Sequence, residues 1–82
     1  MKLVVLPRAR RDLDAIFDPV LSKVVKRLRL LAQFPELGPR MIGRFRGYRS
    51  TTIGLFRIVY RVFPSGTIEV AYIRDCRRAA VD

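Results

Sequence analysis

The amino-acid sequence predicts an α+β fold with elements in the order β-α-α-β-β-β, an antiparallel sheet with a helical hairpin packed on one face. Three observations lead there. Residues 55–75 read as two alternating strands around a Pro/Gly turn, residues 7–33 carry apolar side chains at helical spacing, and residues 2–6 form a short apolar run stopped by proline. β-Branched and aromatic residues suit a half-buried strand, whereas apolar recurrence every three and four residues marks an amphipathic helix. Eighty-two residues are enough for one core only, so 1–82 is read as a single domain.

Lys2–Leu6 is short and apolar enough to be a strand buried on both faces. Pro7 ends it and opens a helix at the position where a missing N–H costs nothing. Ala9, Leu13, Ile16 and Phe17 then form the buried stripe, with Arg8, Arg10, Arg11, Asp12 and Asp14 opposite. Asp18-Pro19 is a stop and restart, with Asp18 placed to cap a second helix running to about Gln33. Leu21, Val24, Val25, Leu28, Leu31 and Ala32 make its core stripe, and Ser22, Lys23, Lys26, Arg27 and Arg29 its wet side. So short a link sets the two helices antiparallel.

Phe34–Pro39 is a loop stiffened by two prolines, and the following segment interleaves Arg40, Arg44 and Arg46 with Phe45. Tyr48–Thr52 is the next strand. In the hairpin beyond it, a three-residue Pro64–Gly66 connection sets Phe63 opposite Thr67 and Arg61 opposite Glu69, then Val59 opposite Ala71 and Arg57 opposite Ile73. Phe56, Ile58, Tyr60 and Val62 with Ile68, Val70, Tyr72 and Arg74 then line a nearly pure apolar face toward the helices. The register is well specified, because a one-residue slip would invert both faces.

The composition bounds the function. Lysine and arginine number 17 against 7 aspartate and glutamate, a net charge of +10, and only Lys2, Lys23 and Lys26 are lysine. Arginine grips phosphate and carboxylate bidentately and stacks on bases, so nucleic acid or an acidic protein segment is the expected partner. Cys76 is the single cysteine and histidine is absent, so neither a disulfide nor a metal-ligand cluster of ordinary spacing is expected, and no cofactor. No apolar run approaches the ~20 residues that span a bilayer, and no signal-peptide form is present, so a cytoplasmic protein without membrane contact is expected.

The face away from the helices collects Arg57 and Arg61. A three-residue turn after Thr51 adds Arg49 opposite Arg57, whereas a two-residue turn puts Ser50 there; the sequence leaves both open. Arg77 and Arg78 follow the last strand. Several arginines on one sheet face attract phosphate by electrostatics alone; a plain solvated face with Arg61 paired to Glu69 is the competing reading.

The element order, the Phe34-Pro-Glu-Leu-Gly38 loop, Arg46-Gly-Tyr-Arg49, Phe56-Arg-Ile-Val-Tyr-Arg-Val62 and the closing Arg77-Arg78 resemble the RelE/ParE superfamily of toxins from type II toxin–antitoxin systems. The likeness spans essentially the whole chain. It implies either a RelE-like, ribosome-dependent mRNA endoribonuclease that blocks translation, or a ParE-like poison of DNA gyrase; a degenerate, non-catalytic homologue is the third possibility. The short helices fit the RelE branch better. The RelE resemblance implies metal-independent cleavage by the RNA 2′-hydroxyl. Arg57, Arg77 and Arg49 take the catalytic positions, with Arg44, Arg46, Arg61 and Arg78 as further nucleic-acid contacts. It also implies a cognate acidic antitoxin in a toxin–antitoxin hetero-oligomer. Two departures leave the proton acceptor and donor unassigned. Thr51 stands where the branch often has lysine, and Ala79-Ala-Val-Asp82 replaces a segment that carries tyrosine.

Overall fold

The structure, a computed structural model, describes residues 2–77. Four strands and two helices follow in the expected order: β1 (Lys2–Val5), α1 (Pro7–Asp14), α2 (Val20–Gln33), β2 (Arg49–Ile53), β3 (Phe56–Val62) and β4 (Thr67–Asp75), with a 3₁₀ turn at Gly43–Phe45. The sheet order is β1-β4-β3-β2. β2, β3 and β4 are antiparallel neighbours, but β1 runs parallel to β4, pairing Lys2 with Thr67 and Val5 with Val70. The sheet is therefore mixed rather than purely antiparallel. The pattern of a short apolar run carries no strand polarity, which explains the difference.

Both helices pack on one face. Ala9, Ile16, Val24, Leu28 and Leu31 meet Ile58, Tyr60, Ile68, Val70 and Ile73 in a single core, all of them less than a tenth exposed. At ~1.5–3 kcal/mol for each large apolar side chain buried, this cluster dominates the stabilisation of so small a domain. Phe17 departs from the predicted stripe and is 80% exposed, because α1 stops at Asp14 and the chain turns before the next helical repeat. The N-cap residue of α2 is Pro19 rather than Asp18, but Asp18 still ties the first turn from one position earlier: its Oδ1 accepts the Ser22 N–H at 3.0 Å and the Ser22 hydroxyl at 2.7 Å. Arg27 is not on the wet side of α2. It reaches the sheet, donating from Nη1 to the buried Thr51 Oγ1 at 2.7 Å and to the Thr52 carbonyl at 3.2 Å.

The β3–β4 hairpin keeps the predicted register from Phe63 to Tyr60, closed by Gly66 at φ 95°. A β-bulge then intervenes. Tyr60 faces Val70, but Val59 faces Tyr72, so Ala71 is the extra residue and every later pair moves by one. Arg57 stands opposite Arg74, not Ile73, and Ile73 is the core residue. Tyr72 and Arg74 are thus both corrected from the helix-facing side to the open one.

The cause lies in α1. β1 covers β4 only as far as Val70, where the Leu6 N–H bonds the Val70 carbonyl at 3.1 Å. Beyond that point the Ile73 N–H donates to Asp12 Oδ2 at 2.9 Å. A helix carboxylate replaces the missing strand. Asp12, read from the helical pattern as part of a solvated face, is instead a long-range tie.

Candidate nucleic-acid interface

β3 and β4 build the helix-free face. Arg57, Val59 and Arg61 alternate onto it from β3, and Tyr72 and Arg74 from β4. Arg57 is exposed and makes no hydrogen bond or ion pair among the described residues. Its cross-strand neighbour is another arginine. Like charges directly opposite each other in an antiparallel pair are unfavourable, and an anion between them reverses the sign. A phosphate between Arg57 and Arg74 meets guanidinium geometry suited to its oxygens.

A shell of aromatic rings and guanidinium groups surrounds that pair. The Phe45 and Tyr72 ring centroids lie 6.3 Å apart at 60°, so the 3₁₀ turn leans over this side of the sheet. The guanidinium carbons of Arg8 and Arg74 sit 5.7 and 5.3 Å from the Tyr72 centroid, and that of Arg44 5.7 Å from Phe45. Val59, directly opposite Tyr72, is fully buried on this face.

Arg61 is differently employed. Its guanidinium stacks 5.0 Å from the Tyr48 ring and 4.6 Å from Phe63, with Glu69 Oε1 at 3.6 Å. That matches the predicted Arg61–Glu69 pair and leaves Arg61 committed to the protein.

Arg49 does not join Arg57. The turn between β2 and β3 is the two residues Gly54 and Leu55, so Ile53 pairs with Phe56, Thr52 with Arg57 and Arg49 with Tyr60. Arg49 thereby falls on the helix-facing side, where Nη1 donates to the Gly38 carbonyl at 2.8 Å. The same loop is held from the core: Tyr60 Oη accepts the Gly38 N–H at 2.9 Å and donates to the Pro35 carbonyl at 2.8 Å. Burial pushes the Tyr60 phenol above its ordinary pKa, against the opposing Gly38 hydrogen bond and Arg49 charge. Gly38 is required here, since any Cβ would overlap the Ser50 carbonyl.

Arg77 is bound to Asp75. Its Nη2 lies 2.5 Å from Oδ2, and its Nε and backbone N–H both reach Oδ1 at 3.0 and 2.9 Å. That hydrogen bonding, then the carboxylate charge, raises the Arg77 pKa above its ordinary value. Asp75 pairs with Phe56, on the parity of the helix side, so it does not face Arg57. Arg46 is exposed and lines a cleft of about 530 Å³ at the β2 edge together with Arg40, Arg49, Tyr48 and Phe63. Arg78 lies outside the described residues. Among the described residues no cluster of three or more potential metal ligands occurs, and no helix is long and apolar enough to cross a membrane.

The face thus unites Arg57 with Tyr72, Arg74 and Arg8, none of which the sequence reading placed there. The sequence offers Tyr72 and Ile73 side by side as the third apolar residue after Ile68 and Val70; the structure buries Ile73, a step of three inside a period of two that makes a bulge.

The sequence matches the family model of the ParE toxin of type II toxin–antitoxin systems, parDE, over residues 3–80. The chain belongs to this family. It is a RelE/ParE-superfamily toxin, as the sequence motifs implied. No curated protein matches the sequence at significant similarity. Among solved structures, a chain of the RelBE2 toxin–antitoxin complex from Mycobacterium tuberculosis superposes with a TM-score of 0.83 at 23% identity, covering 90% of this toxin and 95% of that chain. The intact E. coli RelBE complex gives 0.75 at 16% identity, covering 88% and 92%. The isolated E. coli RelE toxin gives 0.74 at 16%, covering 98% and 94%. At these identities the likeness is one of fold.

Proposed function

We propose that this toxin is a RelE-like endoribonuclease that cuts mRNA on the ribosome in the cytoplasm and is neutralised by an acidic antitoxin. The observation that carries the reading is the exposed Arg57 opposite Arg74 on the helix-free face. In-line attack by a ribose 2′-oxygen builds negative charge on the phosphate, and preorganised cations there lower the barrier. Arg57 is the phosphate-binding residue on this reading. Arg44 and Arg46 extend the positive track, while Arg49 supports the site from behind through the Gly38 loop. The RelBE complexes of similar fold support an antitoxin partner in a hetero-oligomer, and net +10 favours an acidic one.

Induced expression followed by primer extension on cellular mRNA tests this. Cuts that vanish when translation is blocked before induction are expected; growth arrest without such cuts would overturn it.

The family match supports a second reading, ParE-like poisoning of DNA gyrase. A supercoiling and cleavage-complex assay with purified gyrase distinguishes the two. Inactivity in both assays identifies a degenerate homologue.

A further inference from the structure

On the ribonuclease reading, the face holds cations for the phosphate, but arginine keeps its proton and serves poorly in proton transfer. The bulge at Ala71 supplies what the arginines lack. It turns Tyr72 onto the open face, directly opposite Val59 and diagonal to Arg57. Diagonal neighbours in an antiparallel pair have Cα atoms roughly 7–8 Å apart, within reach of long and aromatic side chains.

The Tyr72 ring is fixed from three elements: Arg8 of α1, Phe45 of the 3₁₀ turn and Arg74 of β4 itself. Its hydroxyl, unlike that of Tyr60, makes no hydrogen bond among the described residues. The other titratable groups nearby are engaged. Asp12 holds the Ile73 N–H and Arg8, Glu69 lies beside Arg61, and Asp75 binds Arg77. Tyr48 lies beside the Arg61 guanidinium, which is four residues, roughly 13 Å, along β3 from Arg57.

We propose that Tyr72 is the general acid of the cleavage, donating its phenolic proton to the departing 5′-oxygen of the RNA phosphodiester held at Arg57. This rests on the ribonuclease reading above. The 2′-oxygen forms a bond to phosphorus, the P–O5′ bond breaks with its electron pair going to O5′, and O5′ takes the proton from Tyr72 Oη. The 2′-hydroxyl proton passes to water, and the phenolate regains a proton from water, so the cycle closes with a 2′,3′-cyclic phosphate and a 5′-hydroxyl. A phenol gives up its proton far more readily than a guanidinium and is therefore the better donor to an alkoxide. The guanidinium groups of Arg8 and Arg74 flank the ring of the phenolate that forms.

The test compares wild type with Tyr72→Phe on programmed ribosomes. One mRNA is ordinary; the other carries sulfur in place of the bridging 5′-oxygen at the mapped cleavage position, a leaving group that needs no proton. Tyr72→Phe is expected to cut the ordinary mRNA about 10²–10⁴-fold more slowly and the thio-substituted mRNA at the wild-type rate, with an unchanged melting temperature. Equal slowing on both mRNAs, or none on the ordinary one, overturns the assignment while the wild-type cuts leave the ribonuclease reading standing. Absence of any cut by wild type overturns both.

Discussion

Arg57 and Arg74 face each other across β3 and β4, one residue away from the pairing that plain alternation gives. Like charges directly opposite each other near the open end of a hairpin are unfavourable, so stability and phosphate binding pull in opposite directions at Arg57.

Arg57→Ala is therefore expected to leave thermal stability unchanged or slightly raised while abolishing growth arrest on induction. If it removes one phosphate contact, the slope of log affinity for single-stranded RNA against log salt falls by about 0.7. Filter binding across a salt series, alongside a melting curve, checks both halves.

Arg49→Met should show the opposite profile. Loss of a charged hydrogen bond to the Gly38 carbonyl costs about 1.5–3 kcal/mol, read as a lower urea midpoint. Growth arrest at a temperature where the variant stays folded should persist.

Tyr60 predicts an alkaline limb in stability. The folded phenol has a raised pKa, so its contribution is full below the unfolded value of about 10 and is lost as pH rises through the folded value, the unfolded chain ionising first. Urea midpoints from pH 8 to 11 should fall more steeply for wild type than for Tyr60→Phe. At neutral pH that variant should be destabilised by about 1–3 kcal/mol, since the buried Gly38 N–H loses its acceptor.

Asp12→Ala should uncover the Ile73 N–H, at a cost of about 1–3 kcal/mol. The specific readout is amide hydrogen exchange: Ile73 protection is expected to collapse, with Val70 changed far less. Asp12→Asn retains a carbonyl acceptor and should restore much of the protection.

The helices, the turn at Pro64–Gly66 and the Arg61–Glu69 pair were legible because each depends on residues close in sequence or on an uninterrupted period. Tyr72 and Arg74 were not, because their side of the sheet depends on where β1 leaves β4 and on a carboxylate from α1, contacts between distant segments. Arg49 was misplaced for a narrower reason. Gly54 permits the positive φ of 60° seen there, but the residues around it fit two- and three-residue turns alike, and the choice decides which face Arg49 takes. The binding half of the site was visible as composition; its arrangement needed the tertiary fold.

The parallel pairing of β1 with β4 also sets a timetable. β4 is the last of the four strands in chain order, yet it lies inside the sheet between β1 and β3. On the ribosome, β1 waits without its neighbour while nearly every other element emerges, and the core closes only when β4 clears. Strand pairing over so long a separation is intrinsically slow. Nascent chains stopped before β4 lack Ile68, Val70 and Ile73 from the core and Tyr72 and Arg74 from the open face, so a prematurely terminated chain cannot complete the site. Closure of the core and assembly of the arginine face are therefore a single event, the docking of β4.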